Sequence, residues 1–117
     1  MDIEKVRSRF IKHFDGKTGN IYMSPGRINL IGEHTDYNGG HVFPCALTIG
    51  TYGVFRKRND RTMRFYSVNF PKAGVLTGSL DELKPRKEAG WSNYPVGMVW
   101  TFGEKGHPID CGFDMLI

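Results

Sequence analysis

The chain has 117 residues, of which 39% are hydrophobic and 24% charged, and its formal net charge is +4. This length accommodates one domain with a modest core, and the composition is that of an ordinary globular protein. The basic residues are scattered, which argues against nucleic-acid binding, and no apolar run approaches the roughly 18 residues that a membrane span needs.

The cysteine content predicts a reducing compartment. Cys45 and Cys111 are the two cysteines, and neither stands in a Cys-x-x-Cys pair. Two thiols do not make a disulfide framework. Because the N-terminus also lacks the apolar segment of a secretory signal, we expect a cytoplasmic protein.

The first third of the chain predicts a helix, an extended segment and a turn. Hydrophobic residues recur at spacings of three and four within residues 2–14, which indicates an amphipathic helix. Residues 20–32 are expected to be extended, with a kink at Pro25 and Gly26. The Asn-Gly pair at 38–39 is a strong signal for a tight turn.

The middle of the chain predicts a β-hairpin. Residues 41–58 are expected to form a strand, with residues 61–70 as the hairpin partner across the turn at 59–60. The basic cluster at 56–61, with the sequence RKRNDR, is interpreted as the solvated tip of this hairpin.

The last third predicts a loop, a helix and a final strand. Residues 71–90 are polar and broken, with one short strand expected at 75–76. A helix is expected to begin near Ser92 and to end at 103–106, with a buried stripe formed by Val96, Val99 and Trp100.

The chain ends on the apolar strand-like sequence GFDMLI at residues 112–117. No polar tail follows it, so we expect a fragment of a longer protein. We also expect self-association of the fragment. The last strand would offer an unpaired edge, and surface that the rest of the longer protein normally covers would be exposed to solvent.

A polar cluster follows the first extended segment. Glu33, His34 and Asp36 stand within the sequence GEHTDYN, and Arg27 lies just upstream. Ionised carboxylates only accept hydrogen bonds, so this cluster suits a ligand that is rich in hydroxyl donors, such as a sugar.

Two other interpretations of the same cluster stay open. In the first, it is a capped turn in which Asp36 and Asn38 bond local amides. In the second, His34, Asp36 and His41 hold a metal ion, although their spacing matches no established metal motif.

The sequence GRINLIGEHTDYNGGHVFPCAL, residues 26–47, resembles the N-terminal signature of the galactokinases, a family of the GHMP kinase superfamily. GWSNYPVGMVW, residues 90–100, resembles the family's helix that opens with W-x-N-Y, and RFYSVNF, residues 64–70, resembles the strand before it. The likeness implies an α+β fold with a mixed or antiparallel sheet and helices on one side. Residues 1–117 would be the N-terminal, sugar-binding part of an incomplete GHMP kinase fold.

Galactokinases transfer the γ-phosphoryl group of ATP to the C1 hydroxyl of galactose. The resemblance implies that Arg27 stabilises the transition state beside that hydroxyl, and that Glu33, His34 and Asp36 bind the sugar. Arg27 could instead be a strand arginine paired with an acid. Within the motif, Tyr37 is expected to be structural.

The resemblance also implies that Ser67, Trp91 and Tyr94 line the nucleotide pocket, although Trp91 could equally be a core residue at a helix start. The family's serine-rich phosphate-binding loop, its Mg²⁺ ligands and its catalytic aspartate have no counterpart here. We therefore expect the chain alone to be inactive. A kinase for N-acetylgalactosamine and a non-catalytic galactose sensor remain alternatives.

Overall fold

The computed structural model describes residues 2–117. Its described part contains two α-helices and five β-strands, joined by short 3₁₀ turns. The elements are α1 (Ile3–His13), β1 (Asn20–Asn29), β2 (Pro44–Lys57), β3 (Thr62–Tyr66), β4 (Leu76–Ser79), α2 (Asn93–Glu104) and β5 (Phe113–Leu116). No helix within residues 2–117 has the length and apolar character of a membrane span.

Helix α1 matches the predicted segment and has a defined start. The side chain of Asp2 accepts hydrogen bonds from the backbone N–H groups of Glu4 and Lys5, at 3.1 and 3.4 Å. An acidic N-cap satisfies amides that have no partner within the helix. The apolar stripe ends in Phe10 and Phe14, which are both fully buried.

The five strands form one mixed sheet in the order β1-β2-β5-β3-β4. β5 is antiparallel to β2 and parallel to β3. The predicted hairpin of β2 with β3 is therefore wrong, because β5 lies between the two strands. A central strand is covered on both faces, and β5 meets this demand with Met115 and Leu116, which are both buried.

The central position of β5 also corrects the expectation about the last strand. β5 is hydrogen-bonded on both sides, and the pairing continues beyond it where Ile117 N–H donates to Tyr66 O at 3.0 Å. The open edges of the sheet belong to β1 and β4. The open edge expected at the last strand is therefore absent, and any self-association through a strand edge would involve β1 or β4.

Side chains alternate across the strands, so the sheet presents two apolar faces. One buried cluster contains Met63, Phe65, Leu80, Val96, Val99 and Met115. The other contains Phe10, Phe14, Val54, Tyr66 and Leu116. Val96 and Val99 belong to α2, and Phe10 and Phe14 belong to α1. The helices therefore cover opposite faces, which corrects the expectation of helices on one side, while the α+β class and the mixed sheet are confirmed.

Helix α2 begins and ends where the sequence predicts. Val96 and Val99 are buried as expected, but Trp100 is 51% exposed. At about 100° per residue, Trp100 and Val99 lie on opposite sides of Val96, so Trp100 is at the border of the buried stripe. The short strand expected at 75–76 is present as β4, which begins one residue later and extends to Ser79.

The carboxylate of Asp114 is fully buried in the middle of the sheet. Its register partners are Arg56 on β2 and Arg64 on β3, and both guanidinium groups bond it, as does that of Arg58. Arg56 and Arg58 were expected at a solvated hairpin tip, and this interpretation is wrong, because their side chains are only 15% and 19% exposed. The cluster at 56–61 instead supplies the countercharge of a buried acid.

This ion-pair network also fixes the end of α1. Arg64 bonds Asp15 at 2.7 Å and lies over the ring of Phe14, with 5.4 Å between its guanidinium carbon and the ring centroid. Arg56 donates to the backbone oxygen of Phe14 at 3.3 Å. Cations near the C-terminus of a helix are favourable because they meet its unpaired carbonyl groups.

The network lowers the pKa values of its carboxyl groups. Burial alone would raise the pKa of Asp114, but the hydrogen bonds and charge of the arginines, Arg64 first, outweigh it and hold the pKa below its usual value. The hydrogen bond from Arg64 likewise lowers the pKa of Asp15. The guanidinium of Arg58 lowers the pKa of Asp60 to about 2.

The chain divides into two compact units, residues 22–52 and the remainder. The two buried clusters belong to the second unit. Within residues 22–52 no side chain is buried, and large apolar side chains such as Ile31 and Ile49 are 72% and 78% exposed. Strands paired without a core of their own are only marginally stable in water.

We expect hydrogen exchange to separate the two units. Backbone amides of residues 22–52 should exchange fastest, because local opening there exposes little buried surface, whereas those of Phe65 and Met115 should be the most protected. Mass spectrometry of peptic fragments after timed exchange in D₂O measures both. Equal protection of the two units would contradict this expectation.

Removing the buried charge should be costly. Asp114→Asn keeps the size of the side chain but leaves three guanidinium groups without their buried countercharge, so we expect a loss of about 3–5 kcal/mol in unfolding free energy. Asp81→Asn removes one side of the exposed pair with Arg61 and should cost less than about 1 kcal/mol. Urea unfolding of the wild type and the two variants measures the unfolding free energies. Similar losses in both variants would contradict a stabilising role of the buried Asp114 carboxylate.

The lowered carboxyl pKa values predict the response to acid. A carboxyl whose pKa is lower in the folded state contributes stability that is complete above its unfolded pKa, about 4, and is lost as the pH falls through the folded value. The unfolding free energy should therefore fall between about pH 4 and pH 2. Asp114→Asn should show a shallower fall over that range, and parallel curves for variant and wild type would count against the network.

Candidate functional site

Three of the four residues expected to act on a sugar lie in one loop between β1 and β2. We call residues 32–41 the motif loop. It contains Glu33 and His34 before a short 3₁₀ turn, Asp36–Asn38, of which Asp36 is the first residue. Gly39 adopts φ 74°, in the left-handed region, so the Asn-Gly turn predicted from the sequence is confirmed.

The motif loop is closed by Thr35. Its Oγ1 lies 2.8 Å from the backbone oxygens of both Gly32 and His41, so its single proton is shared between the two ends of the loop. The N–H of Gly40 donates to Thr35 O at 2.7 Å. Local bonds of this kind, rather than an apolar core, hold the loop.

Glycine is required at position 32. Its φ is +106°, and a Cβ there would lie 2.5 Å from the backbone oxygen of His41 and 2.8 Å from the Cα of Val42. Any side chain would therefore force the ends of the motif loop apart.

His34 is held by its neighbours on both its backbone and its ring. Its φ of 59° is unusual for a residue with a side chain. Asn38 Nδ2 donates to the backbone oxygen of His34 at 2.9 Å, and the hydroxyl of Tyr37 lies 2.6 Å from His34 Nδ1. The two rings meet edge-on, with 5.9 Å between their centroids and a 67° angle between their planes.

The side chains of Glu33, Asp36 and Arg27 are exposed, and none of them forms a hydrogen bond or ion pair within residues 2–117. Arg27 lies in β1 and is not paired with an acid, which removes the alternative explanation for it. Asp36 does not bond local amides, so within the described chain the capped-turn interpretation fails for this carboxylate. Two acceptor groups and one cation are thus left available to a ligand.

The residues expected at the nucleotide lie in the other unit. Ser67 is 2% exposed, and its Oγ accepts from Asn69 N–H at 3.3 Å. Trp91 is half-buried, with its ring edge-on to Phe65 at 6.3 Å, and its Nε1 has no hydrogen-bond partner among the described residues. Tyr94 is 83% exposed on α2.

Among residues 2–117, the motif loop contributes to no cluster of metal ligands and to none of the lining of one polar cavity elsewhere in the fold. Within residues 2–117 no three His, Cys, Asp or Glu side chains are grouped so that they could hold a metal ion. A cavity of about 440 Å³ lies beside the ion-pair network, and its lining residues are Asp15, Lys17, Arg56, Lys57, Arg58, Asn59 and Asp60. This cavity is built from the arginine segment of β2 and from the end of α1.

Sequence reasoning missed the parts of the site that fix its geometry. Tyr37 and Asn38 were assigned only general structural or turn-shaping roles, yet both bond His34 directly. The available signal was their spacing, since residues three and four positions after His34 return to it in a tight turn.

The chain matches the family model described as the galactokinase galactose-binding signature over residues 8–57. It is 52% identical over 117 residues to a galactokinase of Lactiplantibacillus plantarum, covering 100% of this chain and 30% of that protein. It is 54% identical over 113 residues to a galactokinase of Clostridium acetobutylicum, covering 97% and 28%.

Two solved structures resemble the fold. A mevalonate kinase of Methanococcus jannaschii superposes with a TM-score of 0.63 at 17% identity, over 85% of this chain and 32% of that one, and this shows the GHMP kinase fold. A galactokinase of Lactococcus lactis, crystallised with galactose, superposes with a TM-score of 0.89 at 47% identity, over 97% and 30%.

The fold is thus that of a GHMP kinase. The matches at about half identity cover nearly all of this chain, and the chain belongs to the galactokinase family. It spans about 30% of the length of the relatives it matches.

Proposed function

We propose that this chain is the sugar-binding part of a galactokinase, which in the intact protein transfers the γ-phosphoryl group of ATP to the C1 hydroxyl of galactose. The observation that carries the proposal is the state of Glu33 and Asp36. Both carboxylates are exposed and without partners within residues 2–117, and both fall inside the segment that matches the family's galactose-binding signature.

Carboxylates can select one sugar epimer. An ionised carboxylate accepts hydrogen bonds and donates none, so Glu33 and Asp36 suit hydroxyl donors. Galactose and glucose differ in the orientation of one hydroxyl. If that hydroxyl points away from its acceptor, the acceptor loses water without gaining a bond, and the wrong epimer binds more weakly.

Arg27 is proposed as the transition-state stabiliser. Its guanidinium carries a permanent positive charge and has no partner among residues 2–117. A fixed cation close to the sugar's C1 oxygen lowers the energy of the negative charge that develops there during transfer. The charge would also favour the ionised form of a neighbouring catalytic base.

Ser67, Trp91 and Tyr94 are proposed to border the nucleotide. The exposed phenol ring of Tyr94 and the indole of Trp91 are flat apolar surfaces of the kind that pack against adenine. Mg²⁺, which supplies charge neutralisation of the ATP phosphates, does not fit the described residues, since these hold no suitable cluster of ligands. Its ligands would belong to polypeptide outside this chain, as would the phosphate loop and the catalytic base, and the kinase would work in the cytoplasm.

Sugar binding to the 117-residue chain tests the proposal. We expect galactose to shift amide resonances of the motif loop in ¹⁵N-labelled protein. Glucose should bind with a dissociation constant at least about tenfold higher. Glu33→Gln and Asp36→Asn should each weaken galactose binding about tenfold or more, because each turns a charged acceptor into a neutral amide.

Glu88→Gln is the matched control, since Glu88 is exposed, unpaired among residues 2–117 and outside the motif loop. A coupled assay with ATP and Mg²⁺ should show no turnover by the chain alone, because it lacks a site for the metal among the described residues. Equal binding of both sugars, or galactose shifts that survive both substitutions, would overturn the assignment.

A further inference from the structure

The position of the Tyr37 side chain is not explained by apolar packing. Its side chain is 71% exposed, and among residues 2–117 its hydroxyl has one partner, Nδ1 of His34, at 2.6 Å. An exposed tyrosine buries little apolar surface, so its placement contributes little to folding. What the hydroxyl does contact is the neighbouring imidazole.

The direction of this hydrogen bond decides which ring nitrogen of His34 carries the proton. A neutral imidazole has one N–H donor and one unprotonated acceptor nitrogen. The hydroxyl of a phenol is a better donor than acceptor, because the oxygen lone pair is delocalised into the ring. This preference favours a hydrogen bond from Tyr37 to Nδ1, which would leave the proton of His34 on Nε2.

This tautomer complements the other groups of the motif loop. Glu33 and Asp36 can only accept hydrogen bonds when they are ionised, so the two carboxylates bind a sugar hydroxyl through its proton. A sugar also presents hydroxyl and ring oxygens that need a donor. His34 with its proton on Nε2 supplies that donor. Its backbone has φ 59°, and Asn38 donates a hydrogen bond to its backbone oxygen.

We propose that Tyr37 is a positioning residue, which holds His34 in the tautomer that donates from Nε2 to an oxygen of the sugar. This inference rests on the proposed function, because it assigns His34 to the same sugar site. Tyr37 itself does not touch the ligand in this proposal. It acts on the proton and the orientation of the imidazole.

The tautomer can be read directly from the ring nitrogens of the ¹⁵N-labelled chain, in a sample titrated until the His34 ring shifts no longer change with rising pH. The protonated and unprotonated nitrogens have widely separated ¹⁵N shifts. We expect wild-type His34 to show one tautomer, with the proton on Nε2. In Tyr37→Phe the two ring-nitrogen shifts should move towards each other, as the two tautomers exchange.

Tyr52→Phe is the matched control. It also removes one phenolic hydroxyl, and Tyr52 has no hydrogen bond through its side chain among residues 2–117. The ring-nitrogen shifts of His34 should stay at their wild-type values in this variant. Amide spectra that superpose outside the motif loop confirm that both variants keep the fold, as the exposure of Tyr37 predicts.

Galactose titration of the same samples gives the second readout. Tyr37→Phe should weaken galactose binding about three- to tenfold, the range expected for one neutral hydrogen bond, and Tyr52→Phe should leave it unchanged. A proton on Nδ1 in the wild type, an unaltered tautomer in Tyr37→Phe, or an altered tautomer with unchanged galactose affinity would each overturn the proposal. If the wild type binds no galactose, the proposed function fails. The role of Tyr37 in sugar binding then fails as well, even if Tyr37→Phe changes the tautomer of His34.

Discussion

The buried carboxylate of Asp114 limits how the central strands can be arranged. It lies in one cross-strand row with Arg56 on β2 and Arg64 on β3. A shift of β5 by one residue would turn Asp114 to the opposite face, among the apolar side chains around Phe65, where the buried cluster contains no cation. Burying an unpaired carboxylate is far more costly than losing a few apolar contacts, so the ion pairs specify both the neighbours and the register of β5.

The motif loop is ordered by a different means. Residues 22–52 bury no side chain, so apolar packing does not fix the positions of Glu33, His34 and Asp36. Hydrogen bonds from Thr35 and Asn38 to backbone oxygens take its place. These bonds join residues that are only three to six positions apart in the sequence. The geometry of the motif loop therefore depends on hydrogen bonds between nearby residues rather than on packing against the core.

The elements that could be predicted from the sequence are those that depend on neighbouring residues. The period of the apolar residues located α1 and α2, and an Asn-Gly pair located the turn in the motif loop. The pairing of β2 with β3 was predicted wrongly because strand order depends on β5, which is distant in sequence and competes with a nearby hairpin partner. The side of the sheet that each helix covers was missed for the same reason. An aspartate inside the apolar sequence GFDMLI, together with an arginine-rich segment elsewhere, was the one available sign of the buried ion pairs.

The candidate site shows the same division between residue type and geometry. Resemblance to a family assigned functions to Glu33, His34 and Asp36, but a list of residue types leaves the proton of an imidazole undetermined. A hydrogen bond to one ring nitrogen biases which of the two carries the proton, and the hydroxyl of Tyr37 lies 2.6 Å from Nδ1. A phenylalanine at position 37 would keep the aromatic ring and lose the hydroxyl that contacts Nδ1. The hydroxyl, rather than the aromatic ring, is thus the feature through which residue 37 bears on the chemistry of the loop.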